Sequence, residues 1–375
     1  MTNQTCTKCI LDTTISDIKF DESGVCNFCE LHKTLEKKYP IDETVLQQII
    51  AEIKKRGKNK KYDCVIGVSG GVDSTYLIYM AKRWGLRPLA VHLNNGWNSD
   101  IAEDNLQQIV KELDVELRVE KVNWNEFREL QIAFLKASVS DIEIPTDVGI
   151  YATLFKVAAE ENIPSIVNGH SFRTEGTQPL DWTYMEGKYV DSVYKQFFDR
   201  CLKHFSNMKV KNLIYYILIR RIKEYRPLEY MIYDKKEAAR VINKEINWKD
   251  YGGHHFESIY TRFIASYILP TKFNIDKRKV TLSAQIRSGL LSKKEALEII
   301  KKEYYPKDKI KNDRNYILEK LKMSEEQFAD IMNLPIKNHL DYPTYHSTIK
   351  RLKLFIKLAC ILKLLPDVVY EKYAK

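Results

Sequence analysis

Between residues 62 and 171 short apolar runs alternate with amphipathic stretches. "YDCVIGVS" (62–69) is apolar and β-branched, the pattern of a strand. Residues 74–84 place Leu77, Ile78, Ala81 and Trp84 at helical spacing, and Gly85 stands where that helix would end. "RPLAVHLNN" (87–95) predicts a second strand. "SDIAEDNLQQIVKELDV" (99–115) predicts an amphipathic helix with Ser99 or Asp100 as its N-cap. A third strand is expected over 116–123, a helix over 149–161 and a fourth strand over 164–171. Strand–helix–strand alternation implies an α/β fold, a parallel sheet with helices on both faces that binds ligands at the carboxyl ends of its strands.

The flanks read differently. Residues 31–61 look helical and polar and end in "KKRGKNKK", which predicts a solvated linker. From residue 283 onward the pattern is helical, with a capping box from Ser324 to Gln327. "VKNLIYYILIRRIKEY" (210–225) is apolar and basic, so it is either a buried helix or one lying on a membrane surface.

Composition adds limits. The 375 residues are 44 % hydrophobic, enough for a core and two domains. Residues 1–9 are polar, so no signal peptide is expected. The longest apolar stretch, 352–365, is broken by Lys353, Lys357 and Lys363, so no transmembrane segment is expected and the reading is cytoplasmic. The net charge of +10 is uneven: −7 over residues 1–199 and +17 over 200–375. A basic half suits an anionic partner, or is simply the solvated face of lysine-rich helices.

Four of the seven cysteines are clustered. Cys6, Cys9, Cys26 and Cys29 form C-x2-C-x16-C-x2-C, a spacing that sets four thiolates around Zn²⁺. With every ligand position filled by cysteine the site is structural, and the metal supplies folding energy that so small a segment lacks. A redox pair or an iron–sulfur cluster is the alternative. The segment 15–26 between the pairs reads as a hairpin. Cys64, Cys201 and Cys360 are scattered, as in a reducing compartment.

The junction between the first strand and its helix, "SGGVDST", carries the chemistry. Gly70 and Gly71 allow a sharp turn and a close ligand approach. The N–H groups of residues 70 to 75 then converge at a helix N-terminus, an anion site suited to phosphates. Ser69, Ser74 and Thr75 add hydroxyls, and Asp73 either binds Mg²⁺ or caps the helix. The Walker A pattern is absent.

"SGGVDS" resembles the PP-loop of the ATP pyrophosphatase superfamily, whose members cleave ATP between the α- and β-phosphates and activate a carbonyl oxygen as its adenylate. "CTKCILDTT…DESGVCNFC", "PLAVHLNNGWNS", "IEIPTD", "NGHSFRTEG", "YGGHHFESIYTRF" and "LPTKFNIDKRK", in this order, resemble the N-acetyl sugar amidotransferases of surface-polysaccharide and flagellin-glycan biosynthesis. Asn94, His254 and Thr281 depart from that family's pattern and bear on substrate identity more than on reaction class.

The resemblance implies a parallel-sheet PP-loop domain of the adenine nucleotide alpha-hydrolase type, with an N-terminal zinc module and a C-terminal helical region. The expected division is a zinc module (1–31), a helical linker (32–61), the PP-loop domain (62–200) and a basic substrate- or partner-binding region (201–375). It implies an ATP-binding set of Ser69, Gly70, Gly71, Val72, Asp73, Ser74, Thr75 and Leu93, with Asp73 on Mg²⁺. Glu175 and Asp147 are further candidates for the cleft, Asp147 being equally an N-cap and Glu175 an exposed loop residue. Arg173, Trp182, Gly253, His254, His255, Glu257, Arg262, Lys272, Lys277 and Arg278 are candidates for the substrate, a nucleotide sugar or nonulosonic acid. Against each stands a plainer role: core packing for Trp182 and surface charge for the lysines and arginines.

No cysteine sits in a glutaminase setting, so ammonia is expected from a separate glutaminase subunit, and the resemblance implies a cyclase-like barrel subunit as its conduit. No nucleic acid is expected as partner. The rival readings are a tRNA thiolation enzyme, which would use a cysteine pair in the cleft, and a non-catalytic zinc-bearing scaffold.

Overall fold

The computed structural model describes residues 4–253 and 255–362 together with Leu365 and Tyr370. Five strands, β1 (Cys64–Gly67), β2 (Pro88–Asn94), β3 (Leu117–Lys121), β4 (Ser165–Val167) and β5 (Lys223–Tyr225), make one sheet in the order β3-β2-β1-β4-β5. Every pairing is parallel, and Ile66 of β1 stands in register with Ala90 of β2 and Val167 of β4. The central strands are apolar because helices cover both their faces. The edge strand β3 is charged instead, with Arg118 paired to Glu120 and Glu161 and Lys156 to Glu120, which blunts the exposed edge.

The chain runs from β1 outward to β3 and then returns to the other side of β1 with β4. The turns after β1 and β4 therefore flank the crevice at which such sheets bind ligands. The helix Val72–Arg83 leaves the first turn and buries Leu77, Ile78 and Ala81, and Gly85 stands just past its end at φ +71°. The helix Asp100–Leu113 is capped by Ser99, whose side chain accepts the Ala102 N–H.

Several expectations meet a different outcome. The stretch expected as a helical, solvated linker does hold a helix, Glu43–Arg56, but Leu46, Ile50 and Ile53 bury it in one core with Ile66, Leu77 and Ile242. Their i, i+4, i+7 spacing is the core-facing signal that its many charges obscured. The segment 210–225 is not a buried helix. It is a short helix (Val210–Ile214), a π-helical turn (Tyr215–Ile219) and then β5, with Val210, Ile214, Leu218 and Ile219 exposed. The helix expected from residue 149 begins at Ile144, so Asp147 lies exposed within its first turn and is not its N-cap.

The chain forms two units that interleave along the sequence. One comprises Met1–Lys121, Thr153–Gln178 and Ile222–Ser324, and the other Val122–Ala152, Pro179–Arg221 and Glu325–Lys375. The boundary expected near residue 200 is displaced because β5 pairs with β4 and draws residues 222–324 into the sheet unit. Within the second unit, Tyr189 packs its ring edge-to-face against Phe134 and donates from its hydroxyl to the buried Asp141 at 2.9 Å.

Candidate active site and metal centre

The turn after β1 is set by one residue. Gly70 has φ +79°, and a Cβ there would meet the Ala102 carbonyl oxygen at 2.4 Å, so only glycine fits. Its own carbonyl accepts from Trp248 Nε1 (2.9 Å) and Asn105 Nδ2 (3.1 Å), which clamps the turn from two elements. Ser74 Oγ accepts the Ser69 N–H and donates to the Gly71 carbonyl. The Gly71 N–H donates to Ser69 Oγ and the Val72 N–H to Tyr251 Oη, both at 3.2 Å. Thr75 is fully buried, and its hydroxyl has no hydrogen-bond partner.

An acidic side chain stands at this loop. Glu257 Oε1 accepts from Ser69 Oγ at 3.3 Å and lies 3.0 Å from the point where a Gly71 Cβ would be. A carboxylate beside backbone N–H groups at a helix N-terminus is the arrangement that a phosphate would also find. His255 Nδ1 lies 3.6 Å from the same oxygen. Partial desolvation works against the imidazolium of this half-exposed ring, but the Glu257 carboxylate overcomes it and pushes His255 up to about 9. Burial likewise raises Glu257, and His255 more than offsets it, so the carboxyl is held low. A Cβ on Gly253 would strike the Phe256 ring at 2.5 Å, which explains that glycine.

The second group centres on Asp73. Its Oδ1 accepts from Tyr233 Oη at 2.5 Å and its Oδ2 from Lys235 Nζ at 2.8 Å. Lys235 Nζ also reaches Glu175 Oε1 at 3.3 Å, and Glu175 Oε2 lies 3.3 Å from His170 Nε2. Burial alone would raise Glu175, but Lys235, His170 and His255 hold it at about 2. Lys235 is raised in turn: burial disfavours its charge, and Asp73 and Glu175 more than restore it. The turn after β4 closes on this group, since a Cβ on Gly169 would lie 3.3 Å from the Asp73 carbonyl oxygen.

The structure thus brings together Ser69, Gly71, Val72, Asp73, Glu175, His255 and Glu257 of the residues singled out by sequence. Leu93 lies near the carboxyl end of β2. Others are engaged elsewhere. Arg173 is buried and donates to the carbonyls of Glu229 and Tyr39. Arg262 makes a two-bond pair with Asp313 at 2.7 Å. Arg278 pairs with Asp276 and donates to the Lys302 carbonyl, closing the end of the helix Lys293–Lys301. Lys272 and Lys277 are half-buried, Lys272 with its ammonium 5.8 Å from the Phe273 ring centroid. Trp182 is buried in the second unit, to which Asp147 also belongs. His254 lies outside the described residues.

Tyr233, Lys235, Tyr251 and His170 are the residues that sequence reasoning missed. Tyr251 opens "YGGHHFESIYTRF" and His170 sits within "NGHSFRTEG", and that proximity was the available signal. Nothing local distinguishes Lys235.

The N-terminal cysteines converge. Their Sγ atoms all lie within 4.8 Å of one another, with separations of 3.8 Å (Cys6–Cys29 and Cys9–Cys26) and 3.6 Å (Cys26–Cys29). A tetrahedron with metal–sulfur bonds of about 2.3 Å has edges of about 3.8 Å, so the donor set fits Zn²⁺. Antiparallel bridges Thr5–Asp12 and Phe20–Cys26 form the two knuckles, with Gly24 at φ +75° in the second turn. Arg287 Nη1 lies 3.7 Å from Cys9 Sγ, and Lys293 Nζ donates to the Cys6 carbonyl at 2.8 Å.

Residues 40–172 match the family described as PP-loop domain, and residues 257–358 match the family described as LPS biosynthesis protein WbpG-like, C-terminal domain. No curated protein matches. Solved structures to which the chain is similar include an NH3-dependent NAD synthetase from Campylobacter jejuni (13 % identity, 79 % of this chain and 99 % of that one, TM-score 0.34). The U34-tRNA thiolase NcsA from Methanococcus maripaludis, with its [4Fe-4S] cluster, is another (16 % identity, 78 % and 90 %, TM-score 0.30). An NMN synthetase from Francisella tularensis is a third (17 % identity, 60 % and 99 %, TM-score 0.26). Likenesses this distant carry no argument about function.

Proposed function

We propose that this chain, a member of the PP-loop superfamily and of its WbpG-like amidotransferase family, converts an N-acetyl group on a sugar into an acetamidino group at the expense of ATP. The observation that carries the reading is the contact of Glu257 with Ser69. The first residue matched by the WbpG-like domain stands at the loop of the PP-loop domain, which supports a reading in which sugar modification and ATP use share one site.

The reaction assigns each group a task. The acetamido oxygen attacks the α-phosphorus, the bond to the β-phosphate oxygen breaks, and pyrophosphate leaves. Ammonia then adds to the imidate carbon, the carbon–oxygen bond breaks, and AMP carries the former amide oxygen away. The Ser69 hydroxyl and the Val72 N–H receive the pyrophosphate once Glu257 and Tyr251 withdraw, while the Gly71 N–H and the Ser74 hydroxyl hold the loop in shape. Lys235 and the protonated His255 supply positive charge beside it. Asp73 and Glu175 already converge on one cation, a donor pair that fits Mg²⁺. Bound there, Mg²⁺ would offset charge on the phosphates.

The substrate in this reading is a nucleotide sugar or nonulosonic acid of surface-glycan synthesis, in the cytoplasm, and the four thiolates hold a structural Zn²⁺. Ammonia comes from a separate glutaminase subunit with a cyclase-like barrel subunit as conduit. Cys64 is no substitute nucleophile, since it is buried within β1 and burial pushes its thiol up.

The test is incubation with ATP, Mg²⁺, ammonium and acetamido sugars, then mass spectrometry. The expected products are AMP, pyrophosphate and a sugar lighter by about one mass unit and cationic through amidine delocalisation. Formation of ADP in place of AMP would overturn the proposal.

A further inference from the structure

Lys235 opens the helix Lys235–Ile246, and the cap residue Asp234 fixes that end by accepting the N–H groups of Lys236 and Glu237. The ammonium is aimed at two carboxylates, 2.8 Å from Asp73 Oδ2 and 3.3 Å from Glu175 Oε1. All three side chains are mostly buried, at 17, 19 and 16 % exposure. Two carboxylates brought this close in a site shielded from water repel one another unless a cation stands between them. A hard divalent cation seeks the same oxygens, and an ammonium and a metal ion cannot both occupy the position between them.

We propose that Lys235 is the resident counter-cation of the Asp73–Glu175 pair, and that it makes entry of the divalent ion conditional on nucleotide. The phosphates give the ammonium new anionic partners, and only then are the carboxylate oxygens released to a metal. The site therefore takes up metal together with ATP and not before it, and while empty it keeps one positive charge between its two carboxylates. Lys235 acts here as a positioning residue. The inference rests on the reading of the loop as an ATP site.

Mn²⁺ is the probe, with the free ion counted by electron paramagnetic resonance on the full-length protein. Wild type is expected to bind Mn²⁺ at least roughly tenfold more tightly with α,β-methylene-ATP present than without it. Lys235→Met, which keeps the stem and removes the charge, is expected to bind Mn²⁺ without nucleotide roughly tenfold more tightly than wild type does. Lys235→Arg, still cationic, is expected to behave as wild type. Wild type that binds the analogue by calorimetry and yet binds Mn²⁺ equally with and without it overturns the proposal, and this arm needs no variant to fold. A folded Lys235→Met protein with no gain in Mn²⁺ affinity also overturns it. If calorimetry shows that the analogue does not bind at all, the ATP reading fails, while the Mn²⁺ gain of Lys235→Met without nucleotide still decides whether Lys235 guards the carboxylates.

Discussion

Ser69 donates a hydrogen bond to Glu257 across 188 residues of sequence, at 3.3 Å. A loop whose geometry suits a phosphate thus holds one of the protein's own anions. The second oxygen of that carboxylate has no hydrogen-bond partner. At 3.3 Å the contact is long for a hydroxyl–carboxylate hydrogen bond.

Glu257→Gln keeps the shape and removes the charge. Without a carboxylate in competition, pyrophosphate is expected to bind roughly fivefold more tightly, since the removed repulsion acts over a short distance in a shielded site. Isothermal titration of wild type and variant checks this. An unchanged or weaker affinity would mean that Glu257 assists the ligand instead of yielding to it.

Cys26 is both a member of the thiol cluster and the residue that precedes the helix Asn27–Lys38. Cys26→Ser is expected to cut bound zinc from about one ion per chain to nearly none, because a structural site needs all four ligands. Unfolding free energy in urea should fall by more than about 4 kcal/mol, as metal loss ranks with the largest single-site effects. Because Arg287 and Lys293 contact the module, loss of metal should also expose the helix Arg278–Arg287 to hydrogen exchange. Full metal content and stability in the variant would contradict a structural zinc.

Asp141 sets a pH dependence. Burial pushes its carboxyl up to about 7, against partial relief from the Tyr189 hydroxyl, and one of its oxygens lacks a partner. An unfolded aspartate titrates near about 4, so the folded state holds the proton more tightly. The stabilising contribution is complete below about pH 4 and is lost as pH rises through about 7. Asp141→Asn stays neutral and escapes that loss. Between about pH 5 and 8 the stability of the variant relative to wild type is therefore expected to improve by on the order of 2 kcal/mol. Urea titrations at several pH values measure it, and a constant difference would refute it.

Much of the fold and part of the site are legible in the chain. Four of the five strands lie within the expected runs, since apolar continuity reports burial on both faces. β5 escaped because it is three residues long and comes after an apolar, basic segment with helical spacing. The helix Glu43–Arg56 lies in a stretch expected to be helical, but its burial was obscured by its charges, although Leu46, Ile50 and Ile53 kept their spacing. The arginines Arg173, Arg262 and Arg278 drew notice as charges, and whether a guanidinium meets a substrate or an internal carboxylate is not written in its neighbours.

By itself the sequence determined what depends on near neighbours: the glycine turn and helix start of "SGGVDST", the paired cysteine knuckles, and the alternation that makes a parallel sheet. Those arise from backbone sterics, metal geometry and periodicity, which act over a few residues. Tertiary structure alone decided what stands opposite the loop. Lys235 reaches Asp73 across 162 residues and Tyr251 reaches Val72 across 179. Only closure of the sheet and its covering helices brings such distant groups within hydrogen-bonding range, because electrostatic complementarity is settled by position in space and leaves no period along the chain.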